Sequence, residues 1–308
     1  MIITRIQGGL GNQMFQYAMG RALSYSQKNK LYLNTLWLEK SVEGHLDRSF
    51  LLNNFNIKAS IVTQKEFQLF VYGSFWTKFN KQKKTHIKQL VFDEPLKKFS
   101  DFKNLNLIIK PQTYTFYPDI FTIKNRNIFL DGYWQSFKYF SSIKSIIKMD
   151  FEIKRTLSSF TDEVLKTIQS CISISVHFRK TDYTNTDFGN KYFKPIPLFY
   201  YEKALEIFES KFDKISIFVF SDDIEWCKVN FSTRHETHFI SSKDPVEDLY
   251  LMSCCKHNII ANSTFSWWAA WLNDNSEKIV VSPSKWFQNI RDQNMDDILP
   301  EEWVKIEI

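Results

Sequence analysis

Four polar stretches follow apolar runs in this chain, and their side chains are of the kind that hold a charged nucleotide. The run CISISVHF leads to His177, Arg179 and Lys180, and ISIFVFSDD ends in Ser221, Asp222 and Asp223. HNIIANSTFS carries Asn262, Ser263, Thr264, Phe265 and Ser266, and the first residues run through Gly8, Gly9, Gly11, Asn12 and Gln13. Alternation along a strand puts His177 and Arg179 on one side. The fixed fork of Arg179 suits bidentate capture of a phosphate; its structural alternative is a salt bridge to Asp182. A carboxylate at Asp222 or Asp223 can accept the paired N1–H and N2–H2 donors of guanine. Ser-Asp-Asp also caps helices, so one aspartate is expected to cap the following IEWCKVNF and the other to meet the ligand. Hydroxyls and unpaired N–H groups at the start of a helix near Thr264 form an anion site suited to a pyrophosphate. Trp267, Trp268 and Trp271 continue that helix and are expected in the core.

The glycine turn excludes two cofactors. A dinucleotide fingerprint needs a third, helix-packing glycine where this chain has Met14, and an acidic residue at the end of the next strand, where LYLNT offers Asn34. A Walker A loop needs Lys-Ser/Thr after the glycines, and Asn12 and Gln13 stand there. What remains is a turn whose backbone N–H groups can approach an anion, with Asn12 and Gln13 adding side-chain donors at a helix N-terminus; the plain alternative is a tight turn with an Asn cap.

These residues need elements to hold them. Ile2, Ile3 and Ile6 read as a strand; Phe15, Ala18, Met19 and Ala22 recur at helical spacing; a second strand follows around LYLNT. After a polar, lysine-rich middle, Ile128 to Leu130 forms a strand ending at Asp131, and KYFSSIKSIIK reads as helical. Beyond about Lys154, helices TDEVLKTIQS, PLFYYEKALEIFESKF, EDLYLMSCCK and TFSWWAAWLN alternate with strands CISISVHF, ISIFVFSDD, HNIIANS and KIVVSPS. The pattern implies an α/β protein of two Rossmann-like, doubly wound domains, 1–150 and 151–308, joined near residues 141 to 160 and facing a cleft. In such sheets ligands bind beyond the carboxyl ends of the strands, where the polar stretches lie.

Composition agrees with a globular protein. The 308 residues are 44% hydrophobic and 24% charged, with a formal net charge of +6. The densest basic run, Lys78 to Lys88, lacks the aromatic interleaving of a nucleic-acid surface; it suits a solvated face or an anionic membrane surface. Cys171, Cys227, Cys254 and Cys255 show no metal-type spacing and are expected as free thiols. No Asp-Xaa-Asp sequence occurs to hold a metal against a nucleotide sugar, and no apolar run approaches the roughly 20 residues of a membrane span. A cytoplasmic protein, loosely attached at most to the inner membrane face, is the expectation.

Taken in order, GGLGNQMFQYA, GYWQS, HFRKTDY, FSDD and NSTFSWWAAWL resemble the bacterial α-1,2-fucosyltransferases of glycosyltransferase family eleven. The motifs span Gly8 to Leu272. The resemblance implies a GT-B fold and inverting, metal-independent transfer from GDP-β-L-fucose to O2 of a galactose-containing acceptor. It places His177 and Arg179 on the nucleotide, with Arg179 on the β-phosphate, and Asp222 or Asp223 on guanine. Ser263, Thr264 and Ser266 fall on the phosphates, and Gly9, Gly11 and Asn12 near the donor. Asn262, Phe265 and Lys180 complete the donor set. The usual second arginine of His-Xaa-Arg-Arg is Lys180 here, which keeps the charge and loses the fork. For the base that deprotonates the acceptor, the loop after the motif offers Asp182 and Asp187, with Asp187 favoured by relatives. Asp131, Trp134 and Gln135 are expected on the acceptor side, with further acceptor contacts from loops such as KSVEGHLDRSF. Two alternatives stand: the same fold with another nucleotide sugar, and a catalytically silent nucleotide-sugar binder.

Overall fold

The computed structural model describes residues 1–38, 49–72, 87–91, 106–111, 114–123, 127–180, 195–287 and 297–308. The chain divides into two compact units, one of Met1–Lys154 with a short stretch around Asp297, the other of Arg155 onward with the C-terminus.

The first unit is built on a six-stranded parallel sheet of β1 (Ile2–Arg5), β2 (Leu31–Asn34), β3 (Ser60–Ile61), β4 (Ile87–Val91), β5 (Asn106–Lys110) and β6 (Ile128–Leu130), in the order β3-β2-β1-β6-β5-β4. The chain runs outward from β1 through β2 to β3, then crosses to the far edge at β4 and runs inward through β5 to β6, so that β1 and β6 meet at the centre. Helix α1 (Leu10–Ser26) buries the expected Phe15, Ala18, Met19 and Ala22, together with Met14, Tyr17 and Leu23. Each large apolar side chain so buried contributes about 1.5–3 kcal/mol. Gly20 fills the role that a third glycine has in dinucleotide folds: a Cβ there would run into Thr4 Oγ1 and Leu31 Cδ1, so the helix lies tight on the sheet.

A second helix, α2 (Gln64–Tyr72), and the strands β3, β4 and β5 lie in the stretch read only as a polar middle. KYFSSIKSIIK is not one helix. Two 3-10 turns, Phe137–Tyr139 and Ser141–Ile143, precede α3 (Lys144–Asp150). The break lies at Phe140 (φ −126°, ψ 9°), which is fully buried, as Tyr139 nearly is. Packing of these rings overrides the local helical pattern.

The second unit follows its sequence pattern closely. Its parallel sheet comprises β7 (Ser173–Phe178), β8 (Ser216–Ser221), β9 (Glu236–Ile240), β10 (His257–Ile259), β11 (Val280–Pro283) and β12 (Val304–Ile306). The order is β12-β11-β10-β7-β8-β9, and every pairing is parallel. Read from β9, this is the 3-2-1-4-5-6 order of a doubly wound nucleotide-binding sheet, with its switch point between β7 and β10. Helices α4 (Ser159–Gln169), α5 (Leu198–Glu209), α6 (Ile224–Asn230), α7 (Pro245–Cys254) and α8 (Thr264–Leu272) connect the strands. Central strands β7 and β8 are almost wholly buried, as parallel strands covered on both faces must be.

Candidate functional site

The carboxyl ends of β7, β8 and β10 gather most of the residues singled out above, at the switch point of the second sheet. His177 is 3% exposed, with Nδ1 3.0 Å from Ser266 Oγ. Ser266 Oγ also lies 3.3 Å from the Ser263 carbonyl oxygen, which can only accept. An imidazole protonated on Nδ1 satisfies both contacts at once and leaves Nε2 as an acceptor. Burial, and after it the charge of Arg179, push the His177 pKa down to about 3, against a smaller opposing effect of Asp222. The ring is therefore neutral at physiological pH. A neutral ring with Nε2 as acceptor is compatible with the expected place of His177 on the nucleotide.

Arg179 Nη1 stands 3.5 Å from Asp222 Oδ2, with the two side chains 20% and 16% exposed. Asp222 Oδ1 accepts the backbone N–H of Lys180 at 2.9 Å. Asp222 is thus the carboxylate beside the guanidinium. Asp223 is the cap: its Oδ1 accepts the Trp226 N–H at 3.0 Å, and its own N–H donates to Ser221 Oγ at 2.9 Å. The two alternative roles of the Asp pair divide between its members, and the expected donor contact from Asp223 gives way to capping of α6. Lys180, just beyond the end of β7, places Nζ 3.5 Å above the Trp226 ring. Phe178 stacks on Tyr201 at 3.9 Å, and a cavity of about 190 Å³ has Phe178, Arg179, Lys180, Pro195, Tyr201 and Trp226 in its lining. The lysine thus faces an aromatic ring, a contact that the sequence reading missed. Lys180 and Trp226 come from separate elements far apart in the chain, so their contact has no periodic signature.

Helix α8 starts at Ser263, which makes no side-chain cap hydrogen bond, and its first turn holds no acidic residue. Such a start leaves backbone N–H groups and the positive end of the dipole for an anion. Phe265 lies against the His177 ring at 5.7 Å. Asn262 is 1% exposed and donates through Nδ2 to the Trp286 carbonyl; it is a scaffold residue of the turn. Trp267, Trp268 and Trp271 pack in the core, Trp267 and Trp271 stacked at 6.2 Å.

In the first unit the glycine turn precedes α1. Gly8 has φ +77°, and a Cβ there would lie 2.7 Å from Asn12 Nδ2, so the left-handed turn requires glycine. Gly9 is the N-cap and has no side-chain cap bond. Gln13, expected as a ligand donor, is fully buried and structural: Nε2 donates to the Gly8 and Ser49 carbonyls, and Oε1 accepts from the Leu51 N–H. Asn12 accepts at Oδ1 from Gln135 Nε2 at 2.8 Å. Gln135 is 6% exposed and Trp134 3%, with the indole edge-on to Tyr139 at 5.6 Å. Trp134 is therefore core, which corrects its expected place on an acceptor; Gln135 positions Asn12. Asp131 pairs with Arg5 at 2.8 Å. Asp182 and Asp187, the candidate bases, and most of KSVEGHLDRSF lie outside the described residues.

Among the described residues no group of three or more His, Cys, Asp or Glu side chains is placed to hold a metal. The four cysteines are free thiols. No described helix is long and apolar enough to cross a membrane.

The model of glycosyl transferase family 11 matches residues 1–307. The chain belongs to glycosyl transferase family 11. Within the family's reach, it is 31% identical over 312 residues to alpha-1,2-colitosyltransferase of Escherichia coli, covering all of this chain and 99% of that protein. It is 30% identical over 313 residues to the O-antigen biosynthesis glycosyltransferase WbnK of Escherichia coli, covering 98% and 99%. The solved structure of fucosyltransferase NodZ from Bradyrhizobium overlaps 87% of this chain and 91% of its own, at 12% identity and a TM-score of 0.45. Membership makes the chain a glycosyltransferase, and the site at β7, β8 and β10 is the place to ask which sugar nucleotide it takes.

Proposed function

We propose that the chain transfers L-fucose from GDP-β-L-fucose to O2 of a galactose-containing acceptor glycan, with inversion and without a metal, in the assembly of a surface polysaccharide such as an O-antigen. The observation that carries this reading is the grouping of Arg179, Asp222 and the uncapped start of α8 at one switch point. Arg179 and the α8 amides neutralise the β-phosphate as GDP leaves, which is where charge develops. Ser263, Thr264 and Ser266 sit at that helix start, and Asp222 accepts the guanine N1–H and N2–H2 donors. His177 contributes an acceptor nitrogen for a hydroxyl or N–H of the nucleotide. The sugar passes through an oxocarbenium-like state, and Asp187 takes the proton of the attacking hydroxyl, with Asp182 the other carboxylate of the same loop.

The names of the two Escherichia coli relatives support an α-1,2 linkage and an O-antigen setting. They also favour a second reading of the donor. Colitose is the 3-deoxy counterpart of L-fucose, so a pocket for GDP-colitose differs from one for GDP-fucose by a single hydroxyl.

The test is thermal unfolding in EDTA with GDP, GDP-fucose, GDP-colitose, GDP-mannose, UDP and NAD, followed by product analysis with a galactoside. A ligand at about 100 times its Kd adds roughly 2.7 kcal/mol of stability. Stabilisation by guanine nucleotides and product only from GDP-fucose supports the first reading; product only from GDP-colitose replaces it with the second. Stabilisation by UDP alone removes both. Attachment to an anionic membrane face belongs to the same proposal and is tested by flotation with anionic liposomes at low salt.

A further inference from the structure

We propose that Arg5, Trp37 and Asp131 form a subsite on the first unit for the ring of a neutral hexopyranoside. The purpose assigned to it, holding the acceptor sugar, rests on the transferase reading above; its existence does not.

The three residues come from the carboxyl ends of three neighbouring strands of the first sheet, β2, β1 and β6. Arg5 ends β1, Asp131 follows β6, and Trp37 follows β2 by three residues. The turn that presents Trp37 is fixed from below. Asn34 is fully buried, its Oδ1 accepts the Leu36 N–H at 3.1 Å, and the Leu38 N–H bonds the Thr35 carbonyl at 2.9 Å. Asp131 is fixed by its own N–H to the Ile109 carbonyl at 2.9 Å.

On this frame the Arg5 guanidinium lies 4.0 Å from the centre of the Trp37 ring and 2.8 Å from Asp131. Arg5 and Asp131 are each about four-fifths buried, whereas Trp37 is 50% exposed. Of the other described tryptophans, Trp226 is half-buried and Trp134, Trp267, Trp268, Trp271, Trp286 and Trp303 are buried. An indole held half in water on a turn anchored by buried Asn34 leaves apolar surface exposed beside the ion pair. An ion pair that merely stitched β1 to β6 would not require it.

The chemistry fits a sugar ring. A pyranose has one face of carbon-bound hydrogens, which packs on an indole, and an edge of vicinal hydroxyls. A carboxylate accepts from two of those hydroxyls while the neighbouring guanidinium donates to a third oxygen. The Arg5 Nε–H is buried and makes no hydrogen bond of its own. Because Arg5 and Asp131 cancel each other's charge, an acidic sugar gains nothing from the pair, and a neutral one is preferred.

The test uses the full chain without donor. Saturation-transfer NMR is recorded with methyl β-D-galactopyranoside and, as the charged control, methyl β-D-glucuronide, on the wild type, Trp37→Ala and Arg5→Met. The expected result is transfer to the carbon-bound protons of the galactoside, weakened about tenfold in each variant, with little transfer to the glucuronide. The melting-temperature shift with GDP serves as the folding control and is expected unchanged in Trp37→Ala. Equal galactoside binding by wild type and Trp37→Ala, or no hexopyranoside binding by the wild type, overturns the subsite. If the chain proves inactive with every donor, the transferase reading fails while the NMR result still stands. If it is active, Trp37→Ala is expected to raise the acceptor KM about tenfold and leave the donor KM in place.

Discussion

Replacing Asp222 by asparagine separates the two tasks given to that carboxylate. At 3.5 Å from Arg179, a unit charge pair attracts by about 5 kcal/mol at an effective dielectric constant near 20. Both side chains are about one-fifth exposed, and the measurable worth of such a pair is closer to about 1 kcal/mol. Asparagine keeps an oxygen for the Lys180 N–H, so the turn should survive and stability should fall by about 1 kcal/mol. Recognition should suffer more. A hydrogen bond from the guanine N2 amine to a charged acceptor is worth about 1.5–3 kcal/mol, so the wild type is expected to prefer GDP over IDP, which lacks that amine, by roughly tenfold to 150-fold. In Asp222→Asn the ratio should fall to a few-fold. Pyrophosphate should bind the variant at least as well as the wild type, since Arg179 no longer shares its charge with a carboxylate. Isothermal titration in EDTA with GDP, IDP and pyrophosphate measures all three. An unchanged GDP-to-IDP ratio in the variant would refute the placing of guanine on Asp222, and weaker pyrophosphate binding would refute the division of labour between Asp222 and Arg179.

Arg179→Ala is expected to lower kcat/KM by roughly tenfold to a thousandfold through loss of a phosphate donor in the transition state; turnover near wild type in a steady-state assay removes Arg179 from the mechanism. Glu247 is 3% exposed and accepts from Arg155 at 2.8 Å and from Ser158 and Thr161. Burial opposes its ionisation, but those hydrogen bonds outweigh burial and hold its pKa at about 2. Its contribution is therefore present above the unfolded value near 4.5 and lost as pH falls towards 2. Glu247→Ala should cost about 3 kcal/mol at pH 7, in urea unfolding, with the gap to wild type closing in acid; a gap under about 1 kcal/mol at pH 7 contradicts the network. Asp248 is opposite in sign: burial raises its pKa from 3.8 to about 6. The folded chain then holds an extra proton between those values, and stability is lost as pH rises through that window. Asp248→Asn should stabilise by about 1–3 kcal/mol above pH 6 and be neutral below pH 4; equal melting temperatures at pH 7.5 contradict it.

The second unit was legible because its strands are the kind that announce themselves. SISVHF and SIFVFS are central, buried on both faces and bounded by polar turns. The elements that went unread are edge or half-buried. β9 is ETHFI with four of its five residues short of burial, and β12 is VKI with none buried; neither makes an apolar run, and their membership of the sheet comes from neighbours already in place. In the first unit β5 alternates, with Leu107 and Ile109 buried, but it sits in a polar stretch whose local pattern gave no boundary. Gly20 was equally silent, because the tight approach of α1 to Thr4 and Leu31 is a tertiary fact.

The site divides along the same line. Residue type and position at a strand end found His177, Arg179, Asp222 and the α8 start, because parity and parallel topology dictate where such residues emerge. What sequence could not assign was which of two equivalent polar groups turns inward. Asp222 and Asp223 differ only in that one faces Arg179 and the other the first turn of α6. Asn12 and Gln13 differ in that the glutamine fills three backbone contacts behind the helix. The protonation of His177 was equally invisible in the sequence, because it is burial, and after it Arg179, that keeps the ring neutral. With His177 neutral and weakly basic, the proposed transfer looks to a carboxylate for its proton acceptor, and Asp187→Asn and Asp182→Asn are the variants to test before His177.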